Sequence, residues 1–264
     1  MLQVQHLSKT YGGRGFVPIT ALRDMNFEVQ EGEFVAIMGE SGSGKTTLLN
    51  ILAGLMQPTT GEVALNGASL RSMKPDQMAK FRREKLGFIF QDFHLLERFT
   101  VKDNIVLPLV LSEKKKEEME QRLTPLAKRL GLTEHMNRYP HELSGGQQQR
   151  AAVARALITK PELLLADEPT GQLDSHTADD LMQIFQDVNV DGQTILMVTH
   201  SIRSASYARR VLFIRDGMLF HEIYRMESPY RFAERIADVL PLLRENPEAS
   251  TPSDAEDGEV PHVF

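Results

Sequence analysis

Gly39-Glu40-Ser41-Gly42-Ser43-Gly44-Lys45-Thr46 sets glycines, a lysine and a hydroxyl in the spacing G-x-x-x-x-G-K-S/T, which suits a chain of phosphates. Glycines there let backbone N–H groups wrap a phosphate, Lys45 reaches the β and γ oxygens, and the Thr46 hydroxyl is placed for Mg²⁺. A second anion site lies far along the chain at Leu143-Ser144-Gly145-Gly146-Gln147. Ser144 reads as a helix N-cap, and the glycines bare N–H groups at a helix start. In a third constellation the apolar run Leu163-Leu164-Leu165-Ala166 ends on Asp167-Glu168. Asp167 is placed to hold Mg²⁺ through its water shell and Glu168 to polarise an attacking water. Asp174 sits on the loop that follows. Taken singly, these are a Gly-rich turn, a capped helix and a strand ending in a charged turn. Together they describe nucleoside triphosphate hydrolysis.

Each constellation needs an element to aim it. Phe34-Val35-Ala36-Ile37-Met38 reads as a buried strand feeding the glycine loop, and Thr47 to Gly54 as the helix after it, with Gly54 near its C-cap. Residues 1–90 read as strand-rich, with Asn66-Gly67 as a tight turn. Residues from about 92 to 155 read as helical, and Pro125 is expected to kink or split the helix that begins near Ser112. Strands return at Leu163–Ala166 and Thr194–Val198, around a helix from about Ser175 to Val188. Val211–Phe220 reads as a hairpin turning at Asp216-Gly217. Residues 228–245 read as an amphipathic helix with Phe232, Ile236, Val239 and Leu240 on one side. The Pro/Ser/Asp/Glu-rich tail from Asn246 has no Lys or Arg and is expected to be disordered.

The composition narrows the function. In 264 residues, 41% hydrophobic and 25% charged residues are ordinary for a globular chain. A net charge of −6 and a pI near 5.8 argue against general nucleic-acid binding. No apolar run reaches the roughly 18 residues of a membrane span, and the first residues lack the apolar core of a signal peptide. Cysteine is absent, so no thiolate site or disulfide framework is possible.

The order of glycine loop, Gln91 after a strand, LSGGQ, Asp167-Glu168, Asp174 and His200 after a strand resembles the ABC transporter nucleotide-binding subunits, over roughly residues 1–225. The resemblance implies an α/β fold: a P-loop NTPase core with a mixed sheet plus an α-helical subdomain. It divides the chain into a core from 1–90 and 156–225, a helical signature subdomain at 91–155, a helical extension at 226–245 and an acidic tail at 246–264. ATP and Mg²⁺ are the implied ligands. Nucleotide-binding residues carried over are Tyr11, Gly39, Glu40, Ser41, Gly42, Ser43, Gly44, Lys45, Thr46, Thr47, Gln91, Leu143, Ser144, Gly145, Gly146, Gln147 and Asp174. Tyr11 is implied to stack on adenine. Gln91 is implied to sense Mg²⁺ and the transport partner, which puts it with Thr46 and Asp167 among the metal contacts. His200 is implied to touch the γ-phosphate and joins Glu168 as catalytic. The resemblance also implies a head-to-tail homodimer with ATP between one copy's P-loop and the other's LSGGQ. A separate integral membrane permease would hold it, peripherally, at the cytoplasmic face.

Phe81–Asp92 and Ala166–Gly171 are similar to the branch serving mechanotransmission-type permeases, which covers lipoprotein release, macrolide export and antimicrobial-peptide resistance. Ser204–Ala208, Val211–Gly217 and the extra helix are most similar to the bacitracin-resistance-type subgroup. Gln172, where the branch often has Asn or Ala, and Pro125 depart from it. Two other readings compete. A soluble ABC ATPase of DNA repair or translation is disfavoured by the single cassette, the short arm and the absence of a basic stripe. A dead nucleotide-binding scaffold is disfavoured by Lys45, Glu168 and His200. Finally, Phe93, Leu95, Leu96 and Phe99 are expected either to pack the helical arm onto the core or to line a groove for a permease helix.

Overall fold

Strands buried on both faces read as unbroken apolar runs, and such runs pair in parallel beneath helices. A computed structural model, describing residues 1–12 and 17–243, follows this logic. In chain order its first elements are β1 (Leu2–Tyr11), β2 (Ile19–Val29), β3 (Phe34–Gly39), α1 (Lys45–Leu52), β4 (Thr60–Leu65), β5 (Ala68–Ser69), α2 (Pro75–Lys85) and β6 (Leu86–Ile89). The arm follows as α3 (Val101–Val110), α4 (Lys116–Arg129) and α5 (Gly145–Leu157). The chain then forms β7 (Leu163–Asp167), α6 (Ser175–Val190), β8 (Thr194–Val198), α7 (Ile202–Ala205), β9 (Arg210–Arg215), β10 (Met218–Tyr224) and α8 (Pro229–Val239).

The larger sheet has the order β10-β9-β3-β8-β7-β6 and is parallel except for β10. Alternation along its strands feeds two cores. Phe34, Ala36, Met38, Leu164, Ala166, Ile195 and Met197 face the side covered by α3, α5 and α6. Val35, Ile37, Leu163, Leu165, Leu196 and Val198 face α1 and the smaller antiparallel sheet, of order β2-β1-β4-β5. The mixed sheet with a helical arm is the architecture expected from the sequence. α5 lies close to the sheet because it offers Ala151, Ala152 and Ala154, all fully buried. Opposite it, a Cβ on Gly87 would come within 2.6 Å of the Ala156 carbonyl oxygen.

Three local readings need correction. α2 was not expected within residues 1–90; it begins on Pro75 and buries only Met78 and Phe81, so its apolar signal is thin. Residues 91–100 form a loop rather than the start of the helical stretch. Pro125 does not split its helix. α4 runs through it from Lys116 to Arg129, held by buried Leu123 and Ala127 on either side, because packing outweighs the lost backbone donor. α8 follows the expected pattern, with Phe232, Ile236 and Val239 buried. The tail from Asn246 lies outside the described residues.

Candidate functional site

β3 delivers the chain into the glycine loop, and α1 leaves it. Gly44 adopts φ +100° and a Cβ there would meet the Ala21 carbonyl oxygen at 2.4 Å, so only glycine lets the loop close this tightly. Lys45 Nζ donates to the carbonyls of Gly39 (2.9 Å) and Glu40 (2.7 Å). Burial pushes the Lys45 ammonium below its usual range, and Glu168, Asp167 and Glu40 partly offset this.

A pocket of about 410 Å³ gathers this loop with the ends of β7 and β8. It is lined by Gly39, Ser41, Gly42, Gly44, Lys45, Thr46, Thr47, Gln91, Asp167, Glu168 and His200, together with Ala21 and Val198. Ala21 and Val198 were not singled out in the sequence; Val198 is recognisable only as the end of an apolar strand. Burial raises the Asp167 carboxyl, Glu168 adds to the effect and Lys45 opposes it. Glu168 has φ 45°. Its carboxylate lies 3.0 Å from His200 Nδ1 and accepts from the His200 backbone N–H at 3.2 Å. The Glu168 side chain is 14% exposed and that of His200 72%, so the carboxylate is the enclosed member of the pair and the imidazole the open one.

The remaining candidates lie around this pocket. The Tyr11 hydroxyl is 3.1 Å from Thr47 Oγ1, which sets the ring beside the glycine loop. Ser43 is buried, and its hydroxyl accepts from Lys45 Nζ at 3.4 Å. Leu143–Gln147 do not line the pocket. There, Ser144 caps α5 by accepting from Gln147 N–H (3.3 Å), while the Gln147 side chain accepts from Ser144 N–H (3.0 Å). Asp174 is likewise outside the pocket. It caps α6, accepting from the backbone N–H groups of His176 and Thr177 and from the Thr177 hydroxyl. The Thr177 bonds hold its carboxyl below the usual carboxylate range. A larger cleft of about 900 Å³ runs between α4 and the turns before β7 and β8. Its arginines are already engaged, Arg122 with Glu118 and Arg129 with Asp191, and none of the candidate residues named from the sequence lines it.

A family model described as ABC transporter matches residues 22–171. The chain belongs to the ABC transporter family. ABC transporter ATP-binding protein YxdL of Bacillus subtilis (strain 168) is 51% identical over 93% of this chain and 95% of its own length. Bacitracin export ATP-binding protein BceA of Halalkalibacterium halodurans is 42% identical over 85% of this chain and 89% of its own. The dimeric structure of MJ0796, a bacterial ABC transporter cassette, superposes with a TM-score of 0.78 at 41% identity, covering 85% of this chain and 98% of that one. The same cassette is also known in a post-hydrolysis state bound to ADP and Pi. Like these ABC relatives, the present chain is an ATP-binding cassette, and no helix among its described residues is long and apolar enough to cross a membrane.

Proposed function

We propose that two copies of this ABC ATPase close head to tail around ATP and drive a separate membrane permease from its cytoplasmic face. One observation carries the reading. The pocket holds the glycine loop, Asp167, Glu168 and His200, while the LSGGQ helix start lies outside it. A twofold arrangement brings a second copy's Ser144–Gln147 to the open side and completes two equal sites.

In this reading Lys45 exchanges its two carbonyl bonds for phosphate oxygens. Backbone N–H groups of the glycine loop hold the β-phosphate, and Tyr11 offers its ring to adenine. Glu168 takes the proton of the attacking water, and His200, resting on Glu168, holds that carboxylate in place and faces the γ-phosphate. The donors around Thr46 are hydroxyl, carboxylate and amide oxygens from Thr46, Asp167 and Gln91, a set that suits Mg²⁺. Bound there, Mg²⁺ supplies neutralisation of phosphate charge.

The permease contact is assigned to the loop after Gln91. Asn104 is fully buried and ties this loop down, accepting from Leu96 N–H and donating to the carbonyls of Leu96, Phe99 and Thr100. Leu95 packs inward on the arm, whereas Leu96 and Phe99 stay 41% and 44% exposed. The likeness to BceA favours a permease concerned with peptide antibiotics; the likeness to macrolide exporters supports a second reading. Glu168→Gln tests the core of the proposal. It should keep ATP binding, lower turnover by about 10²–10⁴-fold and accumulate ATP-bound dimers. Turnover within about threefold of wild type would remove Glu168 as the base.

A further inference from the structure

The loop between Glu168 and α6 is fastened through four successive residues to three other segments, α5, α7 and the stretch Gln91-Asp92. The Pro169 carbonyl accepts from the buried Gln149 amide of α5 at 2.6 Å. The Thr170 hydroxyl lies 2.9 Å from that of Ser204 in α7, and both side chains are buried. Gly171 has no side chain, and a Cβ there would fall 3.2 Å from Gln91 Nε2, so the Gln91 amide lies against this loop. Gln172 Nε2 then donates to Asp92 Oδ1 at 2.5 Å. Asp92 itself sits in a strapped stretch. Its carbonyl accepts from His94 N–H, and the Arg155 guanidinium of α5 donates to the carbonyls of Phe93 (3.0 Å) and His94 (2.6 Å). Phe93 and His94 hold positive φ of 59° and 48°, a conformation that such residues keep only when their surroundings impose it.

Of these fastenings, the bond between Gln172 and Asp92 is the one made by two exposed side chains. It contributes no core packing, and it joins the two loops that leave Glu168 and Gln91. We propose that Gln172 is a positioning residue. By donating to the Asp92 carboxylate, its amide makes the loop after Glu168 and the loop after Gln91 a single unit, so that the two side chains keep their register through turnover. The inference rests on the reading of Glu168 as the base. The reach is specific. Asparagine carries the same amide but is shorter by one carbon–carbon bond of about 1.5 Å, enough to open a 2.5 Å contact beyond hydrogen-bonding distance. Asp92 is charged, so the bond is charge-assisted and a carboxylate in place of the amide would repel.

The test uses the full chain, measuring kcat, ATP affinity and thermal melting. Gln172→Ala and Gln172→Asn should each lower kcat about fivefold, the scale of one ordinary hydrogen bond, because solvent screens the charge of this exposed pair. ATP affinity and melting temperature should stay at their wild-type values. Gln172→Glu should lower kcat further, by about tenfold, because it sets two carboxylates against each other. Asp92→Asn, which keeps an acceptor oxygen, should stay within about twofold of wild type. The decisive arm is the double variant Gln172→Glu with Asp92→Asn. There the amide introduced by the second change can donate to the carboxylate introduced by the first, and kcat should recover to within about twofold. Wild-type kcat in Gln172→Ala or Gln172→Glu, or a double variant no faster than Gln172→Glu, would overturn the proposal. So would melting temperatures that fall in step with kcat, since the role would then be structural. A Glu168→Gln chain that turns over normally would sink the underlying site reading instead, whatever the Gln172 series gives.

Discussion

Asp167 and Lys45 are held half-buried in the pocket at the expense of each one's charged form. For Asp167 the folded pKa lies above the unfolded value of 3.8, so its ionisation opposes folding. The opposition is absent below the unfolded value and complete above the folded one. Asp167→Asn should therefore raise the melting temperature of the nucleotide-free chain at pH 7. The gain should be under about 1 kcal/mol, because solvent screens a partly exposed group, and it should shrink as pH falls toward 4. Melting curves across that range, with and without the substitution, would decide it, and a lower melting temperature at pH 7 would be the contrary result. The same substitution should abolish Mg²⁺-dependent turnover, a trade of function for stability of the kind active sites commonly make. The acidic pair and the glycine loop were legible in the sequence because their spacing is their chemistry. The contact between His200 and Glu168 was not, since it joins residues 32 positions apart just beyond the ends of the neighbouring strands β7 and β8.

At the scale of elements, what the sequence disclosed followed the strength of the apolar signal. β3 was legible because Phe34 to Met38 is unbroken and both of its faces are buried. α2 was not, because two buried residues in eleven leave little periodicity to read; its usable signals were Pro75 and the Gln77 side chain that accepts from Lys74 N–H. The Ser144 cap was legible from residue type alone, and Ser144→Ala should cost about 1 kcal/mol by thermal or denaturant unfolding. The fit between the starts of α5 and α6 was hidden. A Cβ on Gly146 would fall 2.3 Å from Thr177 Cγ2, so Gly146→Ala should destabilise the chain by about 1–3 kcal/mol. Adding Thr177→Ser, which removes the methyl group but keeps the hydroxyl that bonds Asp174, should recover most of that loss. No recovery would mean that the two helix starts are not in contact.

For the whole molecule, the separation of the pocket from Leu143–Gln147 sets the experiment. In a mixed dimer of Lys45→Ala and Gly145→Asp chains, a head-to-tail arrangement puts both lesions in one composite site and leaves the other intact. Such dimers should form with ATP and turn over at about half the wild-type rate, while each variant alone stays inactive. Inactive mixed dimers would contradict the arrangement. Phe99→Ala and Leu96→Ala should weaken copurification with the permease while the isolated chain melts as wild type, because both side chains are exposed. Phe93 is half-buried and has a ring atom 3.8 Å from the Cβ position of Gly145. Phe93→Ala should therefore also disturb the start of α5 at Gly145, and its loss of binding would be less specific.

The rank of each strand in the larger sheet has a mechanical consequence. β3, β8 and β7 are interior strands, bonded on both sides, and they carry the glycine loop, His200 and the two carboxylates. β6, which leads to Gln91, is the last strand and bonds only to β7. Displacing an interior strand tears two ladders, whereas displacing a terminal one tears one. The chain thus sorts its strands by compliance: β3, β8 and β7 are clamped on both sides, whereas β6 is clamped on one, and the tie between Gln172 and Asp92 holds the loop beyond it in register. Amide hydrogen exchange should record this as slow exchange throughout β3 and β8 and faster exchange along β6.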